Sequence, residues 1–249
     1  MTKYAPKEWE VAYPYTMGVF HRDNLVTSFP KAGRTWIALF FEYYNRYSGE
    51  GKPIYTTHHT SNISYKKNVL LIRNPCDVLV SLYFHKKFRR DMELPGFDEF
   101  IRAWLPVFNK SHREWSEYTD NKIVVRYEDL FERDTWKKIL KHFDMGMNKR
   151  IFDVAIDRTE FNNLKNNLGR VMEFRNYWKY LAREKGLRVL NPKENDSHKF
   201  RRGKAGGYVD YLSTKEIEFV RDNFSFGKGL EQHTNYYKEV FDKYLEGKK

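Results

Sequence analysis

The chain has 249 residues, of which 41% are hydrophobic and 17% aromatic. This length suits one large domain or at most two small ones, and so apolar a composition excludes a globally disordered protein. Lys and Arg total 45 against 33 Asp and Glu, which gives a net charge of +12 with neutral histidines. This excess favours anionic partners such as nucleotides, nucleic acid, acidic membranes, or sulfated and phosphorylated substrates, without choosing among them.

The cysteine content and the hydropathy pattern indicate in which cellular compartment the protein is found. A single cysteine, Cys76, excludes an internal disulfide framework, which fits a reducing environment. The N-terminal stretch has no apolar run of signal-peptide length, and no segment approaches the roughly 20 apolar residues of a membrane span. We therefore expect a cytoplasmic protein without a transmembrane segment. The oligomeric state is not indicated by the sequence.

Strand-like and helix-like segments alternate along the chain. Short, nearly continuous apolar runs predict strands at 24–29, 53–58, 68–73 and 122–127. Helical patterns lie at about 34–48, 75–90, 97–118, 134–144 and 214–223. This alternation favours a layered α/β domain with a mostly parallel sheet. Ligands of such sheets bind beyond the carboxyl ends of the strands, so the residues after each strand are the functional candidates.

The first predicted strand is followed by the loop PKAGRTW, residues 30–36. Pro30 ends the strand, and Gly33 permits a backbone conformation that other residues avoid. A helix opening near Arg34, with Lys31 nearby, would direct unpaired N–H groups and two cations at one point, which suits a phosphate. An ordinary strand-to-helix turn with solvated cations fits the same residues. The loop also lacks the spacing of the common nucleotide loop, G-x-x-x-x-G-K-[ST].

Two adjacent histidines, His58 and His59, lie at the end of the second predicted strand. Neighbouring residues on an extended segment point to opposite sides, so only one of them can face the ligand edge. A neutral imidazole there could take a proton from an attacking hydroxyl, although both rings could instead pack or lie at the surface. Zinc is less favoured because no Cys or carboxylate cluster lies at ligand spacing.

The third strand is followed by RNPCDVLVS, residues 73–81, in which Asn74 can cap a helix that begins at once. Arg73, at the carboxyl end of the strand, favours an anion contact. Ser81 suits either helix packing or a ligand contact. The fourth strand is followed by the sequence YEDL, with two carboxylates behind Tyr127.

A basic segment near the C-terminus, FRRGKAGGYVDYL at residues 200–212, combines three cations with three glycines. Such a flexible loop suits phosphate oxygens. A solvated basic loop or a nucleic-acid patch is the alternative. No RRM, KH, zinc-finger or helix-turn-helix signature accompanies the segment, so we expect no nucleic-acid partner.

Together and in this order, these motifs resemble those of the sulfotransferases that use 3′-phosphoadenosine 5′-phosphosulfate (PAPS). The family's 5′-phosphosulfate loop, Y-P-K-S-G-T-T-W, and its 3′-phosphate motif, R-N-P-K-D-V-x-V-S, correspond to residues 29–36 and 73–81. The family's K-T-H, Y-E-D, T-x-F-x-x-M-K and R-K-G-x-x-G-D-W correspond to 56–58, 127–129, a stretch within 157–167, and 201–208. Six motifs in family order cover most of the chain.

The resemblance implies a single sulfotransferase domain over residues 1–249. Its fold would be a three-layer α/β sandwich with a mostly parallel central sheet, similar to the P-loop NTPases. The implied reaction is sulfonate transfer from PAPS to a hydroxyl or amine, which releases adenosine 3′,5′-bisphosphate (PAP) and requires no metal. His58 would be the general base, and Lys31 would lie near the leaving oxygen.

The same resemblance implies three groups of nucleotide-binding residues. The 5′-phosphosulfate would be held by Lys31, Ala32, Gly33, Arg34 and Thr35. The adenine would be held by Trp36, Tyr127, Thr159 and Phe161. The 3′-phosphate would be held by Arg73, Ser81, Arg201, Arg202 and Gly203.

Some positions depart from the family pattern. Thr56 replaces the Lys of K-T-H, and His59 competes with His58 for the role of base. Cys76 replaces the Lys of R-N-P-K-D, at a helix start that could lower the pKa of its thiol. The family's Asp and Trp in the last motif are Gly207 and Tyr208 here.

The acceptor site differs in length from that of the small-molecule cytosolic members. Only 21 residues separate Trp36 from His58, where those members have a longer stretch that helps to build the acceptor pocket. A short stretch suggests an open site, completed by the basic and aromatic segments 85–100 and 173–190. We therefore expect a bulky or acidic hydroxylated acceptor, such as a glycan, a glycolipid or a natural product.

Two other functions compete with this interpretation. A phosphotransferase or NTPase of related fold would need Mg²⁺, for which Glu128 or Asp129 could be a ligand. A basic protein that binds nucleic acid or sulfated glycans would keep the nucleotide pocket for structure only. Dependence on Mg²⁺ separates the first of these from a sulfotransferase.

Overall fold

The computed structural model describes residues 20–49, 52–58, 63–90, 92–118, 121–160, 162–163 and 205–248. Within this part of the chain, four strands form a parallel sheet: β1 (Phe20–Ser28), β2 (Ile54–Thr57), β3 (Ile63–Ile72) and β4 (Lys122–Arg126). The strand order is β2-β1-β3-β4. The α-helices of the described residues are α1 (Arg34–Ser48), α2 (Pro75–Arg89), α3 (Phe97–Tyr118), α4 (Arg133–His142), α5 (Lys149–Thr159), α6 (Thr214–Asn223) and α7 (Glu231–Glu246). Short 3-10 helices span Tyr127–Phe131 and Gly207–Asp210.

Helices cover both faces of the sheet, and β3 shows why. Leu70 and Ile72 of β3 are buried in one core cluster, which contains residues of α2, α3, α6 and α7. Val69 and Leu71 point the other way, into a second cluster with residues of α1, α4 and α5. A strand that is buried on both faces must be apolar at consecutive positions, as this run is. The predicted three-layer α/β architecture with a parallel central sheet is confirmed.

The order in which strands are added to the sheet reverses at β1, and this reversal creates a crevice. The chain passes from β1 through α1 to β2 on one side of β1, then returns to pair β3 with the other side. α1 belongs to one core cluster and α2 to the other, so the helices after β1 and β3 lie on opposite faces. Their starts therefore diverge at the carboxyl ends of these neighbouring strands, where doubly wound folds bind their ligands.

Two strands begin earlier than predicted. β1 starts at Phe20 rather than 24, and β3 starts at Ile63 rather than 68, with Phe20 paired to Ile63. The added part of β3 contains Lys66, which is highly exposed and forms an ion pair with Asp23 of β1. Backbone pairing continues here beyond the helical layers, so the apolar pattern stops before the strand does.

Two helices, α5 and α7, were not predicted. α7 is polar over most of its length and buries a single stripe of Thr234, Tyr237, Phe241 and Leu245. These positions recur every three or four residues, which is the helical period that its polar composition obscured. None of the helices in the described ranges is long and apolar enough to cross a bilayer.

A buried histidine lies in the core beneath the loop that follows β1. His112 of α3 is fully buried among the rings of Phe29, Trp115 and Phe226. Its Nδ1 donates to the carbonyl of Phe108 at 2.8 Å, and its Nε2 has no partner among the described residues. Burial lowers the pKa of His112 to about 3, from an ordinary value of 6.5. The ring is therefore neutral in the folded protein at any physiological pH.

His112 should make the protein less stable in mild acid. Between pH 6.5 and about 3 only the unfolded state takes up this proton. As the pH is lowered through this range, the free energy of unfolding therefore decreases by up to about 1.4 kcal/mol per pH unit. We expect His112→Phe to remove this contribution, and urea unfolding of both proteins at pH 7, 6 and 5 measures it. A further measurement at pH 8, where the histidine is neutral in both states, gives the difference in unfolding free energy that is due to packing alone. Parallel pH profiles for the two proteins would contradict the assignment.

Candidate functional site

A predicted site residue follows the carboxyl end of each of the four strands. The loop before α1 follows β1, His58 follows β2 directly, Arg73 follows β3, and Tyr127 follows β4. Because all four strands are parallel, their carboxyl ends lie side by side. The sequence alone identified these segments, and the sheet order brings them together.

The loop after β1 has the backbone of an anion-binding turn. Lys31 and Gly33 adopt positive φ angles of 74° and 104°. The N–H of Ala32 donates to the carbonyl of Phe29 at 3.1 Å, which closes the turn. Gly33 caps α1 without any side chain that could accept from the first helical N–H groups. The positive end of the α1 dipole therefore faces the loop, as a bound phosphate requires.

Gly33 also lies directly against the ring of Tyr127. A Cβ added at Gly33 would lie 2.3 Å from Cδ2 and 2.7 Å from Cε2 of Tyr127. Both the positive φ and this contact exclude a larger side chain. The glycine thus lets the loop after β1 pack onto the residue that follows β4.

Arg73 connects the loop to the same tyrosine. Its Nη1 donates to the carbonyl of Lys31 at 3.1 Å, and its Cζ lies 4.1 Å from the centre of the Tyr127 ring. Its Nη2 is 3.8 Å from Oδ2 of Asp77, and the side chain is only 14% exposed. The buried Nε has no hydrogen-bond partner within the described ranges. A nearly buried cation with one N–H donor that no described residue accepts is suited to bind an anionic ligand.

Asp77 fastens the basic C-terminal segment to the start of α2. Its Oδ2 accepts from the N–H of Gly206 at 2.7 Å, and its Oδ1 accepts from the N–H of Tyr208 at 3.0 Å. Tyr208, where the family has Trp, is buried with its ring against Phe241 and Tyr244. Sequence reasoning assigned no anchoring role to Asp77. The predicted residues Arg201, Arg202 and Gly203 lie outside the described residues.

The tautomer of His58 follows from its contact with the sheet. Its Nδ1 lies 2.7 Å from the carbonyl oxygen of Ser28, the last residue of β1. A carbonyl can only accept, so Nδ1 carries the proton. In the neutral ring, Nε2 then holds the lone pair that a general base needs. The competing residue, His59, lies outside the described part of the chain.

The predicted adenine-binding residues form part of an aromatic wall. Trp36 meets Tyr127, Phe131 and Trp136 edge to face, with centroid distances of 5.7, 5.0 and 5.7 Å. Thr159 ends α5, and its buried hydroxyl donates to the carbonyl of Ala155 at 2.7 Å. Its hydroxyl proton is thus used within the helix, so only acceptance or backbone contact remains for a ligand. Phe161 is not among the described residues.

Ser81 lies on α2 one turn beyond Asp77 and is half-buried. Residues four apart share a face of a helix, so Ser81 and Asp77 lie on the same side of α2. Its place on this face is compatible with the predicted contact to the 3′-phosphate, which stays a prediction.

The two carboxylates after β4 have protein partners. Asp129 accepts from Nε and Nη2 of Arg126 at 2.8 and 2.9 Å. Glu128 accepts from the N–H of Asn74 at 3.1 Å and from the hydroxyl of Tyr237. Across the described ranges, no group of three or more His, Cys, Asp or Glu is arranged for a metal ion. Both carboxylates are thus engaged by donors of the protein itself.

The expectation of a low thiol pKa at Cys76 is wrong. Cys76 lies in the first turn of α2, where the helix dipole would favour a thiolate, but its side chain is fully buried. Burial raises the pKa of the thiol well above its usual value, and the nearby carboxylates Asp77 and Glu216 add to this. Cys76 is therefore a packing residue.

The sequence comparisons agree with these observations. The family model described as Sulfotransferase domain matches residues 50–238. The 3-alpha-hydroxysteroid sulfotransferase of Cavia porcellus is 28% identical over 164 residues, which cover 58% of this chain and 57% of that protein. Sulfotransferase 2A1 of Mus musculus is 27% identical over 159 residues, 53% of each chain. The chain thus spans about half the length of the curated relatives it matches.

Solved structures share the fold at low sequence identity. The mouse sulfotransferase SULT7A1, complexed with PAP, superposes with a TM-score of 0.65 at 17% identity, over 89% of each chain. Retinol dehydratase, complexed with retinol and PAP, superposes with a TM-score of 0.57 at 19% identity, over 88% of this chain and 85% of that one. The family model covers well over half of the sequence, and this protein belongs to the sulfotransferase domain family.

Proposed function

We propose that the protein transfers a sulfonate group from PAPS to a hydroxyl or amine of an acceptor and releases PAP. The observation that carries this proposal is the convergence at one sheet edge of an uncapped helix start, a nearly buried arginine and a histidine of defined tautomer. The family supports the reaction, because a sulfotransferase needs an anion cradle and a base together. The single domain over residues 1–249 and the cytoplasmic location belong to the same proposal.

The residues that would hold the phosphosulfate fit that anion. Lys31, Ala32, Gly33, Arg34 and Thr35 form the loop and the first turn of α1. Backbone N–H groups at a helix start bind phosphate well, and the Lys31 ammonium adds a charge that can approach the leaving oxygen. The chain provides this cradle without a full nucleotide-binding glycine pattern, since the helix dipole supplies part of the potential.

The 3′-phosphate would bind to Arg73 and Ser81 on one side and to Arg201, Arg202 and Gly203 on the other. Support for the second group comes from the anchor at Gly206. Three residues of extended chain span at most about 10 Å, so Gly203 is within reach of the start of α2. The described end of this segment, Gly206 and Tyr208, is thus attached to Asp77, four residues after Arg73. The proposal is that the cations before it meet the same phosphate as Arg73.

The adenine would lie against Trp36 and Tyr127, with Thr159 and Phe161 completing the contact. Trp36 and Tyr127 already pack edge to face, and such rings offer faces to a planar base. The indole Nε1 of Trp36 is buried and has no partner among the described residues. It is a donor that a nucleotide acceptor atom could satisfy.

His58 would act as the general base. PAPS supplies a sulfonate whose bond to the 5′-phosphate oxygen breaks as the acceptor oxygen bonds to sulfur. Nε2 of His58 takes the proton that the acceptor hydroxyl loses, because Nδ1 is held by Ser28. The ammonium of Lys31 stabilises the charge that develops on the leaving oxygen, most strongly where water is excluded.

The acceptor is proposed to be bulky or acidic and hydroxylated. Within the segment 85–100, the ammonium of Lys86 lies 4.3 Å from the centre of the Trp104 ring, and Arg90 is exposed nearby. The Trp104 ring is buried in the core, so the support from this segment is its cations, which suit an acidic acceptor. The segment 173–190 lies outside the described residues. An acceptor screen in which only small neutral phenols react would contradict this proposal.

Calorimetric titration with PAP, beside ADP and ATP–Mg²⁺, tests the donor. We expect PAP to bind more tightly than both other ligands and without added Mg²⁺. Preference for ATP–Mg²⁺ would favour the phosphotransferase. Binding of none of the three would favour a protein that uses the pocket for structure only.

Replacing Arg73 with alanine should weaken PAP selectively. The change removes a nearly buried cation that contacts Lys31 and Tyr127. A charge-assisted contact contributes about 1.5–3 kcal/mol, so we expect PAP to bind about 10- to 100-fold more weakly, while ADP binding changes little. Calorimetry with both nucleotides measures this. Equal losses for the two ligands would contradict a 3′-phosphate contact.

A further inference from the structure

A buried carboxylate, Glu128, lies between the C-terminal helix and the start of α2. Its Oε2 accepts from the hydroxyl of Tyr237 on α7, and its Oε1 accepts from the N–H of Asn74 at 3.1 Å. Burial raises the pKa of Glu128, and the hydrogen bonds from Tyr237 and from Asn74 partly offset this. A carboxylate in such a place is unfavourable unless its contacts are all made.

The contact with Asn74 controls the residue before it. The N–H that Glu128 binds belongs to the peptide that joins Arg73 to Asn74. The side chain of Asn74 in turn accepts from the N–H groups of Cys76 and Asp77, at 2.9 and 3.3 Å, and caps α2. Glu128 therefore fixes the orientation of the peptide between Arg73 and Asn74, which lies between the end of β3 and the start of α2. This orientation sets the direction of the Arg73 side chain.

The charges around Arg73 point to the same role. Burial is the largest influence on the pKa of Arg73 and acts to lower it, but Tyr127, Asp77 and Glu128 lie close enough to raise this pKa above its ordinary value. Asp77 is already engaged by Gly206 and Tyr208. Glu128 is the carboxylate that is held by a different element, α7, whose Tyr237 is fully buried.

We propose that Glu128 is a positioning residue that directs Arg73 toward the 3′-phosphate, and that Tyr237 holds Glu128 in the orientation this requires. The inference rests on the proposed function, because it assumes that Arg73 meets a 3′-phosphate. It also assigns a task at the site to α7, which lies more than 100 positions away from Glu128 along the chain. Glu128 itself would not touch the nucleotide.

The test compares two ligands that differ only by the 3′-phosphate. PAP and AMP are titrated calorimetrically into the wild type and into Glu128→Gln. Glutamine has no negative charge and only one acceptor oxygen. If that oxygen keeps the Asn74 N–H, the amide NH₂ faces Tyr237, whose hydroxyl must then accept instead of donate. We expect the preference for PAP over AMP to fall about tenfold, as expected for one charge-assisted bond, while AMP affinity stays the same.

A matched pair of tyrosine variants controls for folding. Tyr237→Phe removes only the hydroxyl that donates to Glu128, and we expect it to lower the PAP preference about threefold. Tyr236→Phe is the same change at the preceding position of α7, where the centre of the ring lies 3.9 Å from Cζ of Arg126. It should leave the preference unchanged.

The outcomes separate this inference from the proposed function. A wild type that binds PAP no better than AMP would overturn both. A wild type with a clear preference that survives Glu128→Gln and Tyr237→Phe would overturn the inference alone. Equal weakening of PAP and AMP in both variants would show a general structural role and would also overturn it. If Glu128→Gln does not fold, the comparison of Tyr237→Phe with Tyr236→Phe decides.

Discussion

Replacing His58 with alanine is expected to lower kcat/KM for sulfonate transfer by about 10²- to 10⁴-fold, the usual contribution of a positioned general base. The expectation rests on the contact between Nδ1 and the carbonyl of Ser28, which leaves the basic lone pair on Nε2. PAP affinity should stay near that of the wild type, because no nucleotide contact is assigned to this ring. Turnover with a saturating donor, measured beside PAP binding, checks both statements.

Two further variants isolate the role of the imidazole. In His58→Asn, the amide nitrogen can replace Nδ1 as the donor to Ser28, so the backbone contact survives while the base is lost. We therefore expect the asparagine variant to be as inactive as the alanine variant. Activity retained by His58→Asn would mean that the ring serves only to join β1 to β2. A greater loss from His59→Ala than from His58→Ala would mean that the base was assigned to the wrong histidine.

The sheet and the helices after its strands could be predicted because their signals are local. α1 was predicted at its observed bounds, since a glycine and the end of an apolar run mark its two ends. β3 was predicted too short, because backbone hydrogen bonds to β1 maintain the strand where Lys66 and Lys67 interrupt the apolar run. α7 was missed because ten of its 16 residues are polar, and only the four-residue spacing of Tyr237, Phe241 and Leu245 reveals its buried stripe.

The candidate site could be predicted as a set of residues but not as a set of contacts. The motifs identified Lys31, His58 and Arg73, since each lies within three residues of the end of a strand. They gave no sign that Asp77 would hold Gly206, 129 residues further along the chain, or that Tyr237 would reach Glu128 across 109 residues. Such bonds depend on how the layers stack, and no local periodicity encodes them.

The second large effect is expected at Lys31. Lys31→Ala removes the ammonium that would stabilise the leaving oxygen, and we expect kcat to fall about 10²- to 10³-fold, as when other preorganised charge-stabilising groups are deleted. The bond from Arg73 goes to the backbone carbonyl of Lys31, so the variant keeps it. The preference for PAP over AMP should therefore survive. A loss of that preference would show that the substitution had disturbed the loop rather than the chemistry.

A glycine at the same position separates the backbone of Lys31 from its side chain. Lys31 has a φ of 74°, in the left-handed region that costs a side chain about 1–2 kcal/mol. Lys31→Gly relieves this strain but adds conformational entropy to the unfolded chain, worth about 0.4–1 kcal/mol in the other direction. Its free energy of unfolding, measured in urea, should therefore equal or exceed that of Lys31→Ala, while both variants lose turnover to the same extent. A glycine variant that recovers activity would mean that the loop conformation, and not the ammonium, limits catalysis at this position.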